Sequence, residues 1–427
     1  MSNTPKEVVI VGAARTPVGK HGGYYNALSS EDLAVLAVEE ALSRSKIDLS
    51  KIKIDQVIAG MIYIDSRNQH IYLPRNVSTR VASKFGDTEN LNVAPGKTTL
   101  RICGTGFQTL ADALDLLTAD APRKMNCVIS FATENMSQTN LIHQGRRKKD
   151  DVWDFEDAPL KDFLLEGFYH YRFNTLMPKT AEKYGAQHGI TRTECDEFSC
   201  LSHERAKNAQ MKQWNRFSKP DDNDYLRGSF AVDTVDEDGK GLFVWRDEGT
   251  RYDVSIEDLS KLRPLVKPDG LVTSGNASQI SDGAASTILM DRAFADKHNI
   301  AYFAKIKGYH FATVDPTIMG QGPVPAVNEL LEKLNLKKSA IDLFEVNEAF
   351  AAQYLAAEKE LGLARDITNV NGGAIAIGHN IAATALRMTI DLIYELKRRD
   401  QKLGIASLCI GGGQGGALCV ELLESTT

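Results

Sequence analysis

An internal near-repeat constrains this chain more than any other feature. A helical pattern from Glu40 leads into Ile54-Asp55-Gln56-Val57-Ile58, and a second from Glu329 leads into Ile341-Asp342-Leu343-Phe344-Glu345, with Asp55 and Asp342 287 positions apart. Cys103 and His379 each head a further helical pattern and lie 276 apart. The strand after each of those helices is announced by Arg123-Lys124 or by Gln401-Lys402, with Lys124 and Lys402 278 apart. Strand-like runs alternating with helical patterns make sheets covered by helices, and near-constant offsets give two α/β halves of one topology. Coincidence among unrelated α/β units is the alternative.

At 427 residues the chain has length for about three domain-sized units. A net charge of −6, dispersed along the sequence, argues against a general nucleic-acid binder. Six cysteines without CxxC or Cys/His metal spacing argue against a disulfide scaffold and against a zinc site. Met1 to Glu7 has no basic-then-apolar leader, and no run reaches the roughly 18 apolar residues of a membrane span, so a soluble cytoplasmic protein is expected. Between the halves the texture changes. Arg146-Arg147-Lys148-Lys149 reads as a solvated loop, or as a site for phosphates or subunit contact, and an acidic, turn-rich stretch runs from Pro220 to Asp247.

Four segments carry chemistry. In Thr99-Leu100-Arg101-Ile102-Cys103-Gly104-Thr105-Gly106 a thiol precedes a helix with Phe107, Leu110, Ala111, Leu114 and Leu117 at helical spacing. Free N–H groups and the dipole at such a helix start are expected to lower the thiol pKa and favour a nucleophile; a buried small residue is the bland reading. Asn347-Glu348 closes the apolar run Ile341 to Val346, which by itself suits solvated side chains at a strand end. Asn371 to His379 is glycine-rich and leads into a helix with Ile381, Ala385, Met388 and Leu392 on one face; a loop histidine at an N-cap is its ordinary reading. Cys409-Ile410-Gly411-Gly412-Gly413 joins two β-like runs, either as a tight hairpin or as bare backbone whose N–H groups approach a ligand.

In this order, and together with Val9 to Pro17, Met177 to Glu182, Lys261 to Pro264, Val272 to Ser278 and Met319 to Pro325, these segments resemble the thiolase family over nearly the whole chain. The resemblance implies a thiolase-like α/β fold in which two duplicated halves form a layered α-β-α-β-α core. Residues 1–131 and 281–300 would form the first half, 132–280 an inserted loop domain and 301–427 the second half. It implies an acyltransferase that condenses two acetyl-CoA or cleaves longer 3-oxoacyl-CoA through a Cys103 acyl-enzyme. His379 would activate the thiol and bond the thioester oxygen, Asn347 would hold a water on that oxygen, and the N–H groups of Cys103 and Gly411 would form a second oxygen pocket. Cys409 would be the base for the α-carbon. Arg251, Ser278, Met177, Met319 and Phe350 match CoA-contacting positions, although plain core packing also suits the methionines. No metal or other cofactor is implied, CoA being a substrate. A homodimer or homotetramer is implied, with a β-oxidation enzyme as a further partner. Cys127, Cys195, Cys200 and Cys419 match no such role and read as buried small residues.

Two positions depart from the family pattern: Asn380 stands where proline usually follows the histidine, and Leu386 is bulkier than usual. Two rivals remain. A decarboxylating ketoacyl-synthase-type enzyme shares the duplicated architecture but uses one cysteine, against which Cys409 speaks. A catalytically silent CoA-binding subunit is supported only by Asn380.

Overall fold

The computed structural model describes residues 6–423 apart from 66–69, 88, 121, 123, 144–145, 148–152, 155–158, 218–227 and 237. Its centre is a ten-stranded mixed sheet. Along the sheet the main strands run Leu343–Val346, Leu403–Ile410, Gln414–Leu422, Ala304–Thr313, Val8–Arg15, Ser281–Asp291, Cys127–Asn135, Gln56–Gly60 and Gly96–Thr99.

The repeat read from the sequence is visible in this order. Gln56–Gly60 pairs parallel with Cys127–Asn135, as Leu343–Val346 does with Leu403–Ile410, and the next two strands of each half pair antiparallel. Even the edge strand Gly96–Thr99 has a counterpart, a single parallel bridge from Phe344 to Thr368. Val8 to Ile10 pairs antiparallel with Ala304 to Ile306 and joins the halves edge to edge.

Between the halves lie two helices, Thr105–Thr118 and Ile381–Arg399. Phe107, Leu110 and Leu117 of the first and Leu386, Met388, Ile390 and Leu392 of the second share one core with Val128 and Leu289 from one half and Leu408 and Leu418 from the other. Helices Ser30–Ser45 and Leu73–Lys84 cover the outer face of the first half through Val38, Ala41, Val77 and Val81. Pro323–Lys333 and Ala351–Leu361 cover the second through Val327, Leu330 and Leu355. The result is five layers, α-β-α-β-α.

The sequence suggested one apolar face on Ile381–Arg399. In the structure every residue from Ile381 to Leu396 is buried, because both halves of the sheet flank the helix. Its interior charges are therefore paired, as buried charges must be. Asp391 accepts from Arg15 Nε at 2.8 Å and pairs with Arg387 Nη1 at 3.2 Å, and Arg15 also reaches Asp247 at 2.7 Å.

Of the cationic block, Arg146–Arg147 pairs with Trp153–Asp154, and Lys148 and Lys149 lie outside the described residues, as does 220–227 of the acidic stretch. No helix among the described residues is long and apolar enough to cross a membrane.

Candidate active site

Cys103 sits on a sharp turn between the edge strand and the first central helix. Ile102 adopts φ 47°, a left-handed conformation that a β-branched residue ordinarily avoids. Gly104 N–H to the Arg101 carbonyl at 2.9 Å and Thr105 N–H to the Ile102 carbonyl at 3.0 Å hold the turn closed. Arg101 is itself clamped, donating to Gln108 at 2.6 Å and Gln414 at 3.0 Å while its guanidinium lies 3.9 Å from the Phe311 ring centre. The helix begins at Thr105 with Gly104 as N-cap, so Cys103 stands just outside it.

The thiol is half-buried and packs against the cluster of Tyr63, Met136, Leu164 and Ile381. Burial pushes its pKa up to about 11, although the N–H groups of Gly411 and of Cys103 itself pull it down. The lowered pKa expected from a helix start is thus corrected: desolvation outweighs the backbone donors. Those two N–H groups nevertheless converge on the sulfur.

His379 is buried at the entrance to the second central helix, whose N-cap is Asn380 rather than the histidine. Burial and the nearby Arg387 charge push the imidazole down to about 3, so it is neutral at neutral pH. Its Nδ1 lies 2.7 Å from Thr384 Oγ1, and that hydroxyl is also 3.1 Å from the Asn380 carbonyl. With the hydroxyl proton given to the carbonyl, Nδ1–H donates to Thr384, which leaves Nε2 as the free base. Asn380 has φ −71° and makes no side-chain cap; its Oδ1 accepts from Thr384 at 3.1 Å.

Asn347 and Glu348 are buried, not solvated as a strand-end turn suggested. Glu348 accepts from Ser202 Oγ at 2.7 Å, Asn369 Nδ2 at 2.9 Å and Ile375 N–H at 3.3 Å, tying the strand end to the glycine-rich segment before His379. By contrast, neither Nδ2 nor Oδ1 of Asn347 has a hydrogen-bond partner among the described residues. A buried amide with both ends open costs stability and marks a place for water or ligand.

A stretch far earlier in the chain holds these segments together. Asn276 O accepts from Ala351 N–H at 2.8 Å, Ser278 N–H donates to Ala349 O at 2.9 Å, and Gln279 O accepts from His379 N–H at 3.0 Å. Residues 276–279 therefore lie between the Asn347 and His379 segments, with half-buried Ser278 beside Phe350.

Cys409, next to last in the strand Leu403–Ile410, is fully buried, and burial together with the neighbouring Cys103 raises its pKa strongly. Ile410 pairs with Gln414, and Gly412 and Gly413 make the turn at φ 82° and 80°, conformations that glycine supplies without strain. The glycine segment is therefore both a hairpin and a ligand-facing backbone, since Gly411 N–H points at the Cys103 sulfur. Met319 and Ala349 pack on Cys409 with Met177 and Phe350 beside them. Arg251 stands outside this cluster, exposed, with its backbone N–H on His203 Nδ1 at 3.0 Å. Cys127, Cys195 and Cys419 are buried, whereas Cys200 is only partly so.

Four residues of the site escaped the sequence reading: Glu134, Thr384, Gln279 and, as a buried tie, Glu348. Thr384 lies in the first turn of the helix that follows the histidine, five residues on, and a hydroxyl there was a usable signal. Glu134 ends the apolar run from Cys127 to Ala132, and a lone carboxylate there could have been noted.

A half-buried and a fully buried thiol meet from the two halves of a duplicated α/β fold, with backbone N–H groups on the first and Ile381, two residues after the neutral His379 imidazole, packed against it, an arrangement suited to acyl transfer. The family described as thiolase, N-terminal domain matches residues 8–293, and thiolase, C-terminal domain matches 300–422. The chain belongs to the thiolase family and is an acyltransferase. It is 38% identical over 415 residues to the mitochondrial 3-ketoacyl-CoA thiolase of Bos taurus, covering 97% of this chain and 98% of that protein. It is 34% identical over 420 residues to the acetyl-CoA acetyltransferase of Allochromatium vinosum, covering 97% and 99%. The crystal structure of human mitochondrial 3-ketoacyl-CoA thiolase superposes with a TM-score of 0.86 at 35% identity, covering 98% of this chain and 99% of that one. That of the Bacillus anthracis acetyl-CoA acetyltransferase does so with 0.86 at 34%, covering 99% and 100%.

Proposed function

We propose that the protein catalyses reversible condensation and thiolysis of 3-oxoacyl-CoA, such as two acetyl-CoA to acetoacetyl-CoA and CoA, through a Cys103 acyl-enzyme. The observation that carries this reading is the second thiol, Cys409, close enough to Cys103 for that thiol's charge to push its pKa up. A ketoacyl-synthase-type enzyme has no use for it.

In the proposed sequence His379 Nε2 takes the Cys103 proton as the thiolate attacks the thioester carbonyl. The carbonyl carbon gains a bond to Cys103 sulfur and loses its bond to CoA sulfur, and the CoA thiolate leaves with the proton held by His379. The departing CoA thiolate takes the Cys409 proton and leaves as free CoA, and Cys409, now a thiolate, removes an α-proton from a second acetyl-CoA. The resulting carbanion attacks the acetyl carbon, and Cys103 departs as thiolate and recovers its proton from His379. A raised thiol and a lowered imidazole keep the resting pair neutral, so the proton moves only when the substrate carbonyl is in place.

The N–H groups of Cys103 and Gly411 receive one developing oxyanion. A water on Asn347, with His379, receives the other, and such donors are each worth about 3 to 4 kcal/mol of barrier. Arg251 and Ser278 take the nucleotide and pantetheine parts of CoA, with Met177, Met319 and Phe350 at the acyl end. The chemistry uses no resident metal or redox cofactor.

The proposed assembly is a homodimer or homotetramer, supported by exposed Leu141, Leu160, Leu165 and Leu176, with a β-oxidation enzyme as a further partner; sedimentation tests the first and co-purification the second. Six free cysteines support the cytoplasm as compartment, and cell fractionation against the mitochondrial alternative decides it.

The deciding assay measures thiolysis of 3-oxoacyl-CoA of increasing chain length beside acetyl-CoA condensation. Turnover in either direction is expected, and the chain-length profile separates biosynthetic from degradative use. Absence of both, with CoA still bound, would leave the silent-subunit reading in its place.

A further inference from the structure

Glu134 is a fully buried carboxylate for which the proposed chemistry has no use. It is the next-to-last residue of the strand Cys127–Asn135 of the first half, where every residue is buried. Its Oε1 accepts from Tyr63 N–H at 2.9 Å, and Ile62 N–H also reaches the carboxylate. Its Oε2 accepts from Ala382 N–H at 3.2 Å. Ala382 lies in the first turn of Ile381–Arg399, three residues after His379, where backbone N–H groups have no partner within the helix. The N-cap residue Asn380 offers its side chain to no backbone N–H of the helix, so Glu134 caps it from across the molecule.

The same carboxylate adjoins the Cys103 side. Tyr63 and Ile381 both pack in the cluster that Cys103 touches, and the Glu134 charge is felt at the Cys103 thiol. Besides Cys103, the titratable groups facing Glu134 are Tyr63 and Asp65. Burial pushes the carboxyl up to about 8 against the pull of its three N–H donors.

We propose that Glu134 is a positioning residue: by accepting N–H groups from the Tyr63 wall and from the His379 helix together, it sets the imidazole of one half against the thiol of the other. Geometry makes the claim testable. A carboxylate has two oxygens and can serve both sides, whereas the amide in Glu134→Gln has one oxygen, and its NH2 must face a backbone N–H on the other side.

The test rests on the thiolase reading for its meaning but needs no turnover. The rate of Cys103 alkylation by iodoacetamide is measured at one fixed pH above about 8, where the Glu134 carboxyl is ionised, in the unmodified protein, Glu134→Gln, His379→Ala and the double variant. If Glu134 acts through His379, Glu134→Gln slows alkylation ~10-fold or more, as a misplacement of about 1 Å can. In the His379→Ala background it then changes the rate by less than about twofold. Equal slowing in both backgrounds would assign Glu134 to the fold or to the thiol alone and overturn the proposal, as would an unchanged rate in the single variant. Should Glu134→Gln not fold, Glu134→Asp serves in the same cycle, because it keeps the charge but falls one methylene short of spanning both donors. A protein without thiolase activity still reports on Glu134 by this measurement, so the two readings fail separately.

Discussion

Replacing Gly106 by alanine tests the crossing of the two central helices. Gly106 lies in the first turn of Thr105–Thr118, where a Cβ would meet the Leu386 backbone nitrogen at 2.5 Å, Leu386 Cβ at 3.0 Å and the Ala382 carbonyl oxygen at 3.2 Å. The nearest atom is roughly 1 Å inside ordinary contact and belongs to backbone, so no rotamer change relieves it. Helix propensity alone would favour alanine by about 0.5–1 kcal/mol. Overpacking of this kind costs about 1–3 kcal/mol, and a backbone clash lies at the upper end. The net expectation is therefore a loss of about 2 kcal/mol. The clash separates the helix behind Cys103 from the helix behind His379, so turnover should fall by about 10²-fold. Urea denaturation and steady-state thiolysis measure the two effects, with Gly241→Ala as control, since no atom of the described residues lies within 4 Å of a Cβ there. Leu386→Ala should not rescue the variant, because the offending atom is main chain. A Gly106→Ala protein as stable and as active as the parent would refute the close crossing.

Asn380→Pro should keep or raise turnover with little change in thermal midpoint, because φ is already −71° and Thr384 retains the Asn380 carbonyl; lost activity at an unchanged midpoint would show that the amide touches substrate. Asn347→Ala removes a buried amide with no partners, so stability should hold or rise by about 1 kcal/mol while activity falls ~10²-fold or more, and unaffected activity would remove Asn347 from the site. His379 and His203 are pushed down by burial to about 3 and about 4. Below the ordinary histidine pKa of 6.5 the unfolded chain binds protons that the fold does not. Stability should therefore fall as pH drops from about 6.5 toward 4, and denaturation midpoints across that range should flatten in His379→Gln.

Much of the site was legible because its segments are local: a thiol before a helix, a polar pair after an apolar strand, glycines beside a histidine. The duplication was legible too, since a repeated order of strands and helices survives in spacing even where residues differ. What stayed hidden depends on contacts across the halves. Glu134 and Ala382 are 248 positions apart, and no local pattern joins them. The 276–279 stretch supplies hydrogen bonds to both the Asn347 and His379 segments only after the chain has returned to the core. The direction of the Cys103 shift was misread because a helix start is a sequence feature while desolvation is set by Tyr63, Leu164 and Ile381 arriving from elsewhere. Burial on every side of Ile381–Arg399 was likewise not legible, because Arg387, Asp391 and Glu395 interrupt its apolar residues and the partners of two of them, Arg15, Arg398 and Arg399, are seen only in the structure.

The central claim is a division of labour between two thiols, and peptide mass spectrometry after incubation with acetyl-CoA tests it most directly. In Cys409→Ala the peptide containing Cys103 should gain the mass of one acetyl group while no acetoacetyl-CoA forms, because only α-proton transfer is lost. In Cys103→Ala no acetylated cysteine should be found. An acetyl group on another residue in Cys103→Ala, or condensation in Cys409→Ala within about tenfold of the unmodified protein, would contradict the account, since a lost general base should cost 10²-fold or more.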